Sequence, residues 1–158
     1  VGKTFGEAFV KSQMGAGTKL PTSGKVFLTV KNSDKARAVD IARQLVALGF
    51  ELVATKGTAA AIAEAGVAVQ VVNKVTEGRP HIVDMIKNDE IAMVINTVEE
   101  RRNAIADSRQ IRTSALLARV TTFTTIFGAE AAVEGMKAMR GNLDVHSVQE
   151  LHAMLTKA

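Results

Sequence analysis

Five short polar segments follow apolar runs of the sequence and share threonine, lysine and asparagine side chains: 29–35, 55–58, 73–74, 96–97 and 122–125. Lysine ammonium groups and threonine hydroxyls donate hydrogen bonds to phosphate, and charge-assisted bonds of this kind are strong. The five segments contain no carboxylate pair, no Ser/His/Asp arrangement and no cysteine nucleophile. The set therefore suits binding of a phosphate with an attached sugar, and it suits bond making poorly.

The segment 54–58 is the most informative of the five. Its neighbours predict a strand at 50–54 and a helix at 59–65. A tight turn at the carboxyl end of a strand that opens a helix directs several backbone N–H groups to one point, where a phosphate can bind. Gly57 allows close approach of the backbone, and Thr55 and Thr58 add hydroxyl donors. The alternative is an ordinary connection in which Thr58 is the helix N-cap.

Alternating apolar runs and amphipathic stretches predict an α/β fold, a doubly wound three-layer sandwich. It would have a five-stranded, mainly parallel sheet with helices on both faces. We predict strands at 25–30, 50–54, 67–72, 91–96 and 120–124. We predict helices at 4–15, 35–48, 59–65, 80–87, 107–117, 130–139 and 146–156. Ligands of such folds bind beyond the carboxyl ends of the strands, so this topology would bring the five polar segments together.

Composition narrows the class of protein further. The chain has 158 residues, enough for one domain, and 47% of them are apolar with few aromatic residues. The absence of cysteine excludes disulfide frameworks and thiolate metal sites. The balance of 20 basic and 16 acidic residues gives a net charge of +4. The lysines and arginines are dispersed without interleaved aromatic residues, so we expect no nucleic-acid partner. We also expect no membrane segment, no metal site and a cytoplasmic location.

Several motifs in fixed order identify a likeness to a known family. They are Phe-Gly-Glu-Ala-Phe at 5–9, Phe-Glu-Leu at 50–52, Thr-Lys-Gly-Thr at 55–58, Val-Asn-Lys-Val at 72–75, Glu-Gly-Arg-Pro-His-Ile at 77–82, Ile-Asn-Thr at 95–97 and Asp-Ser-Arg at 107–109. Together they resemble the carboxyl-terminal regulatory domain of the bacterial carbamoyl phosphate synthetase large subunit. This domain is called methylglyoxal-synthase-like, and the resemblance covers essentially the whole chain.

The resemblance implies a regulatory function. Residues 1–20 would be a connecting helix and linker from the preceding synthetase region, and residues 21–158 the regulatory domain. UMP would inhibit, IMP would activate and ornithine would act from a bordering site, controlling glutamine-dependent carbamoyl phosphate synthesis for pyrimidine and arginine. This domain would be non-catalytic and without cofactor, because ATP, Mg²⁺ and K⁺ belong to the synthetase halves. The implied partners are the rest of the large subunit, the glutaminase small subunit and further copies of the chain.

The resemblance also assigns residues to ligand groups. The effector phosphate would be held by Thr29, Lys35, Thr55, Gly57, Thr58 and Lys74. Ribose and base would contact Asn96, Asp107, Val75, Ile82 and Ile111, while Thr122 and Thr124 would lie on the ornithine side. The family pattern has a second threonine after Ile-Asn-Thr, where this chain has Val98. From the sequence alone, Asp107 is equally well explained as the N-cap of the following helix.

Two other functions compete with regulation by nucleotides. One is a methylglyoxal synthase-type lyase, which eliminates phosphate from dihydroxyacetone phosphate and needs a carboxylate base. The chain lacks the Gly-Asp-Gln sequence that carries this base, and Glu99 is a poor substitute. The other is a domain that mainly provides an oligomer interface, which is compatible with regulation because a ligand at a subunit junction can bias assembly.

Overall fold

The computed structural model describes residues 1–98 and 102–156, with the side chains of all of these except 102 and 103. Its centre is a five-stranded sheet in the order β3-β2-β1-β4-β5, and every strand pair is parallel. The strands are β1 (Lys25–Thr29), β2 (Glu51–Thr55), β3 (Gln70–Val72), β4 (Ile91–Asn96) and β5 (Thr121–Phe123). The predicted α/β class is confirmed.

In the part of the chain that the structure describes, seven helices connect and flank these strands. They are α1 (Phe5–Gly15), α2 (Lys35–Ala47), α3 (Lys56–Glu64), α4 (Ile82–Lys87), α5 (Arg102–Leu117), α6 (Ile126–Ala138) and α7 (Val148–Leu155). Two short 3-10 turns lie at Asn32–Asp34 and Val75–Glu77. No helix of the described residues is both long and apolar enough to cross a membrane.

Each face of the sheet has its own hydrophobic core, because successive side chains of a strand point to opposite faces. In β1, Val26 and Leu28 pack into one core with residues of α2, α3 and α6. Phe27, between them, packs into the other core with residues of α4 and α5. Strands covered on both faces read as nearly continuous apolar runs, as β1 and β4 do.

The register of the strands brings their carboxyl ends together. Thr29, the last residue of β1, pairs with Asn96, the last residue of β4. On the other side of β1, Leu28 pairs with Ala54, so Thr29 and Thr55 also lie side by side. The polar residues that follow three strands therefore share one edge of the sheet.

The junction between β2 and α3 is tighter than predicted. β2 extends to Thr55 and α3 begins at Lys56, so no separate turn intervenes at 54–58. Thr55, with an extended backbone (φ −68°, ψ 154°), is the N-cap. The alternative N-cap, Thr58, is wrong because this residue lies inside the helix and its hydroxyl accepts the backbone N–H of Val30.

Other elements also differ from the sequence prediction in their bounds. β3 is shorter, and α4 begins at Ile82 because His81 is its N-cap, after a cis Arg79–Pro80 bond. α5 begins at Arg102, so Asp107 lies in a helix interior and the N-cap explanation for it is wrong. α6 begins at Ile126, four residues earlier than predicted, because the Thr125 hydroxyl caps it by accepting the N–H of Gly128.

The first helix belongs to the same packed body as the sheet. α1 packs against α6, and Val10 is buried in the first core. The two helices approach closely at Gly6, where a β-carbon would lie 2.8 Å from the carbonyl oxygen of Glu134. Leu20, in the segment between α1 and β1, is buried in the same core.

Candidate functional site

A cavity of about 190 Å³ lies at the carboxyl edge of the sheet, beyond β1, β2 and β4. The helix α5 and the segment after β3 complete its walls. Its described lining consists of Thr29, Val30, Lys31, Asn32, Lys35, Thr55, Gly57, Thr58, Lys74, Asn96, Thr97, Val98, Ala104, Asp107, Ser108 and Ile111. Ligand sites of open parallel sheets are expected at this position.

Threonine hydroxyls form the part of the cavity nearest the sheet. The hydroxyl oxygens of Thr29 and Thr55 lie 3.1 Å apart at the ends of β1 and β2. The hydroxyl of Thr58, which is buried, accepts the backbone N–H of Val30 at 3.1 Å. Because that hydroxyl accepts one bond, its own O–H remains to be donated to a ligand.

The amino end of α3 forms a second wall. Its N-cap, Thr55, makes no side-chain bond to the helix, so the first-turn N–H groups keep their capacity to donate. The ammonium nitrogen of Lys35 lies beside Gly57, 3.6 Å from the position of a β-carbon there. A helix amino end and a lysine next to a residue without a side chain together favour an anion.

The segment after β4 is fixed by bonds to its neighbours. The N–H of Thr97 donates to the carbonyl of Thr29 at 3.0 Å, and the Thr97 hydroxyl accepts the N–H of Lys31 at 3.1 Å. The side-chain amide of Asn96 donates to the hydroxyl of Ser108 at 3.0 Å, which ties β4 to α5. Asn96, Thr97 and Ser108 are all buried, and their remaining hydrogen-bonding capacity faces a polar cavity.

The segment 73–81, which we call the strap, follows β3 and contributes to the wall of the cavity through Lys74. The backbone N–H of Lys74 donates to the carboxylate of Glu77 at 2.9 Å. At the tip of the strap, the Thr76 hydroxyl donates to Asp107 Oδ2 on α5 at 3.2 Å. This bond joins the strap to α5 and orients the Asp107 carboxylate at the cavity.

The base of the strap is closed by backbone bonds and by Asp84. The N–H of Ile82 donates to the carbonyl of Asn73, and the N–H of His81 donates to Asp84 Oδ2 at 3.0 Å. That backbone bond is the main reason why the pKa of Asp84 lies below its ordinary value, and Arg79 lowers it further. The buried imidazole Nδ1 of His81 lies 3.3 Å from Asp84 Oδ2 but lacks hydrogen-bond alignment with it.

Positive charge predominates among the described lining residues of the cavity. Lys31, Lys35 and Lys74 line it, and Asp107 is the one carboxylate among the described lining residues. None of the three lysines forms an ion pair with another described residue. The formal charge of these four groups is +2, which equals in magnitude the charge of a phosphate monoester dianion.

Most residues predicted to contact the nucleotide do line this cavity. They are Thr29, Lys35, Thr55, Gly57, Thr58, Lys74, Asn96, Asp107 and Ile111. Two predicted base contacts do not. Ile82, the first residue of α4, is fully buried in the core that the sheet forms with α4 and α5. Val75 is partly buried and packs against the same core. The structure thus places Ile82 in the core and not in the wall of the cavity.

Thr122 and Thr124 lie apart from the cavity. They line a separate, wider groove of about 860 Å³ beside the edge strand β5. The charged residues of its described lining are Lys19, Arg112 and Arg119, and no carboxylate is among them. A groove with this charge does not by itself supply a partner for the two ammonium groups of ornithine.

Several lining residues were not assigned to the site from the sequence. They include Lys31, Thr97 and Ser108. Thr97 and Lys31 occur in the polar segments after β4 and β1, so the rule that ligands bind at strand ends pointed to both. Ser108 had no such signal, because its position depends on how α5 packs over β4. Glu99, the candidate base, lies outside the described residues.

Metal binding has no support in the described residues, among which no group of three or more His, Asp or Glu side chains could hold an ion. The arrangement is one of hydrogen-bond donors and ammonium groups around one cavity. Such an arrangement has the chemistry needed to bind an anion that carries a polar, hydroxyl-bearing group next to it.

Comparisons with known proteins agree with this architecture. A family model described as MGS-like domain matches residues 37–124. The carbamoyl phosphate synthase large chain of Ralstonia nicotianae is 63% identical over 155 residues, which are 98% of this chain and 14% of that relative. The corresponding large chains of Pseudomonas putida and Neisseria meningitidis serogroup A are 53% and 51% identical over the same coverage. The chain thus spans 14% of the length of these relatives, and it belongs to the MGS-like domain family.

Proposed function

We propose that this chain is the nucleotide-binding regulatory domain of a carbamoyl phosphate synthase large chain. The observation that carries the proposal is the convergence of Lys35, Lys74 and the amino end of α3 on one cavity. The identity to three large chains supports the assignment to that protein. The activity of the whole protein, glutamine-dependent synthesis of carbamoyl phosphate with ATP, Mg²⁺ and K⁺, would lie in parts of the relatives that this chain does not match.

The ligand class is a nucleoside monophosphate. A phosphate dianion matches the charge of the lysines and Asp107, and each charge-assisted hydrogen bond to it is worth about 1.5–3 kcal/mol. The ribose would meet Asn96, at the end of β4, and Asp107, on α5, both of which line the cavity. Because about 190 Å³ is less than the 300–1,000 Å³ of typical ligand pockets, the base would extend beyond the cavity.

Regulation requires that each nucleotide bind two states of the whole protein with different affinity. Following the family resemblance, UMP would favour the less active state and IMP the more active one. Ornithine, if it acts here, would need carboxylates from outside the groove of Thr122 and Thr124. The partners would be the rest of the large chain, the glutaminase small subunit and further copies of the chain in the cytoplasm.

Isothermal titration calorimetry tests the binding step. We expect UMP and IMP to bind the 158-residue chain and uridine to bind at least about tenfold more weakly, because it lacks the charged group. Lys74→Ala should weaken both nucleotides. Lys87→Ala is the matched control, since Lys87 is an exposed lysine at the end of α4 that does not line the cavity. Absence of nucleotide binding at millimolar concentration by a folded chain would refute the proposal.

Phosphate elimination from dihydroxyacetone phosphate is the alternative activity. Asp107 is the carboxylate that could act as a base in the described part of the cavity, but its Oδ2 already accepts the Thr76 hydroxyl. Formation of methylglyoxal by the purified chain, lost in Asp107→Asn, would favour the lyase. Sedimentation with and without each nucleotide would show whether the domain also controls assembly.

A further inference from the structure

We propose that the cavity selects a doubly charged phosphate monoester over a singly charged ester, and that Lys31 is the third cation that sets this preference. The inference rests on the proposed function and deepens it by naming the charge state of the ligand and a residue that reads it. Among the described lining residues, Lys35 and Lys74 alone would leave one net positive charge after Asp107 is counted. Lys31 raises the net charge of these described residues to two.

The position of Lys31 is fixed by buried bonds. Lys31 follows β1 by two residues, and its backbone N–H donates to the hydroxyl of Thr97 at 3.1 Å. Thr97 is buried and is itself held by its N–H bond to Thr29. The ends of β1 and β4 are thus joined twice at the point where Lys31 lines the cavity. A residue anchored in this way belongs to the cavity wall, and its main chain has little freedom to move.

The effect of Lys31 on binding depends on the charges of Lys31 and of the ligand. Ion pairs elsewhere in the described chain neutralise surface cations such as Arg37 and Arg43, whereas Lys31 has none among the described residues. Coulomb attraction scales with the product of the two charges, so each lysine attracts a dianion twice as strongly as a monoanion at equal distance. In a partly enclosed cavity, salt screens this difference less than it does on an open surface.

A neighbouring lysine provides the matched control. Lys56, the first residue of α3, stands at the same edge of the sheet, but it is exposed and does not line the cavity. If general surface charge attracted the ligand, loss of either lysine would have the same effect. If the cavity distinguishes ligands by their charge, loss of Lys31 would lower the affinity and loss of Lys56 would not.

The experiment measures binding of ribose 5-phosphate and ribose 5-sulfate by calorimetry. The two esters have similar shape, but near pH 7 the phosphate carries close to two charges and the sulfate one. We expect the wild-type chain to prefer the phosphate. Lys31→Met should lower the affinity for ribose 5-phosphate about tenfold and the affinity for ribose 5-sulfate about threefold. The same charge-assisted bond is lost in both cases, but the sulfate ester has the smaller charge and therefore loses less attraction. Lys31→Arg should retain the preference, and Lys56→Met should change neither affinity.

Lys31→Met keeps the backbone N–H that Thr97 accepts, and cooperative thermal unfolding of each variant would verify its fold. Unchanged phosphate affinity in Lys31→Met, with a loss in Lys74→Ala, would overturn this inference and leave the nucleotide function standing. Equal affinity of the wild type for both esters would also overturn it. Lys31-dependent binding of ribose 5-phosphate without any binding of UMP or IMP would uphold the charge selection and refute the nucleotide proposal.

Discussion

The ammonium nitrogen of Lys35 lies 3.6 Å from the point that a β-carbon on Gly57 would occupy. The first residue of α2 thus meets the second residue of α3 across the end of β1. An anion bound there would have a lysine on one side and helix N–H groups on the other. Gly57 matters at this position because it leaves the approach to those N–H groups open.

Gly57→Ala tests whether the anion uses this approach. The new methyl group would make ordinary van der Waals contact with Lys35, so we expect the fold to be retained. Stability should be unchanged or higher by up to about 1 kcal/mol, because alanine favours helix and restricts the unfolded chain. Calorimetry should show about tenfold weaker UMP binding. Equal affinity in the variant would mean that the phosphate does not approach Gly57.

Asp107→Asn tests recognition of the ribose. A carboxylate that accepts a ribose hydroxyl should make wild-type protein prefer UMP over 2′-deoxy-UMP by about tenfold. In the variant that ratio should fall towards one. Thr76→Val is the control, because it removes the bond from the strap but leaves the carboxylate in place. A ratio that persists in Asp107→Asn would assign the ribose to another residue.

Val98→Thr would restore a hydroxyl that the family pattern has at this position. Val98 lines the cavity next to Thr97, so an added donor there could reach the phosphate. One net hydrogen bond is worth about 0.5–1.5 kcal/mol, which corresponds to roughly a two- to tenfold gain in UMP affinity. Weaker binding in the variant would show that Val98 contributes packing instead.

The fold could be predicted because its signals are local. Short apolar runs such as 26–28 and 91–95 mark strands buried on both faces, and the helices between them favour parallel connections. The boundaries were less accurate where tertiary contacts decide them. Thr58 looks like an N-cap in sequence, but it lies inside α3, where its hydroxyl accepts the backbone N–H of Val30, the residue after β1.

The site was predicted where it depends on strand ends and less well where it depends on helix packing. Thr55 ends β2, Lys35 and Lys74 come within a few residues after β1 and β3, and all three line the cavity. Ile82 follows the same strap as Lys74, but its place at the start of α4 turns it into the core. Ser108 reaches Asn96 only because α5 packs over β4, a relationship that no local sequence pattern contains.

Asp84→Asn tests how the base of the strap contributes to stability. The pKa of Asp84 is held below the ordinary value of about 3.9 by the His81 N–H, so its charged form stabilises the fold above that value. We expect the variant to unfold at a lower temperature than wild type at pH 7. The difference should diminish as the pH falls below about 3.9 and should disappear below the lowered pKa, where Asp84 is protonated in both states.

Thermal unfolding of both proteins between pH 3 and pH 7 provides the measurement. Asp40→Asn is a suitable control, because Asp40 forms an exposed ion pair with Arg43 on α2, away from the strap. A difference between Asp84→Asn and wild type that stays constant down to pH 3 would assign the effect to packing instead of charge.

The central claim is that a nucleoside monophosphate binds with its phosphate at the start of α3. Amide chemical shifts from nuclear magnetic resonance locate this contact directly. On addition of UMP, the largest changes should occur at the N–H groups of Gly57 and Thr58, and uridine at the same concentration should leave them nearly unchanged. Changes concentrated around Thr122 to Thr124, or equal changes with uridine, would contradict the account.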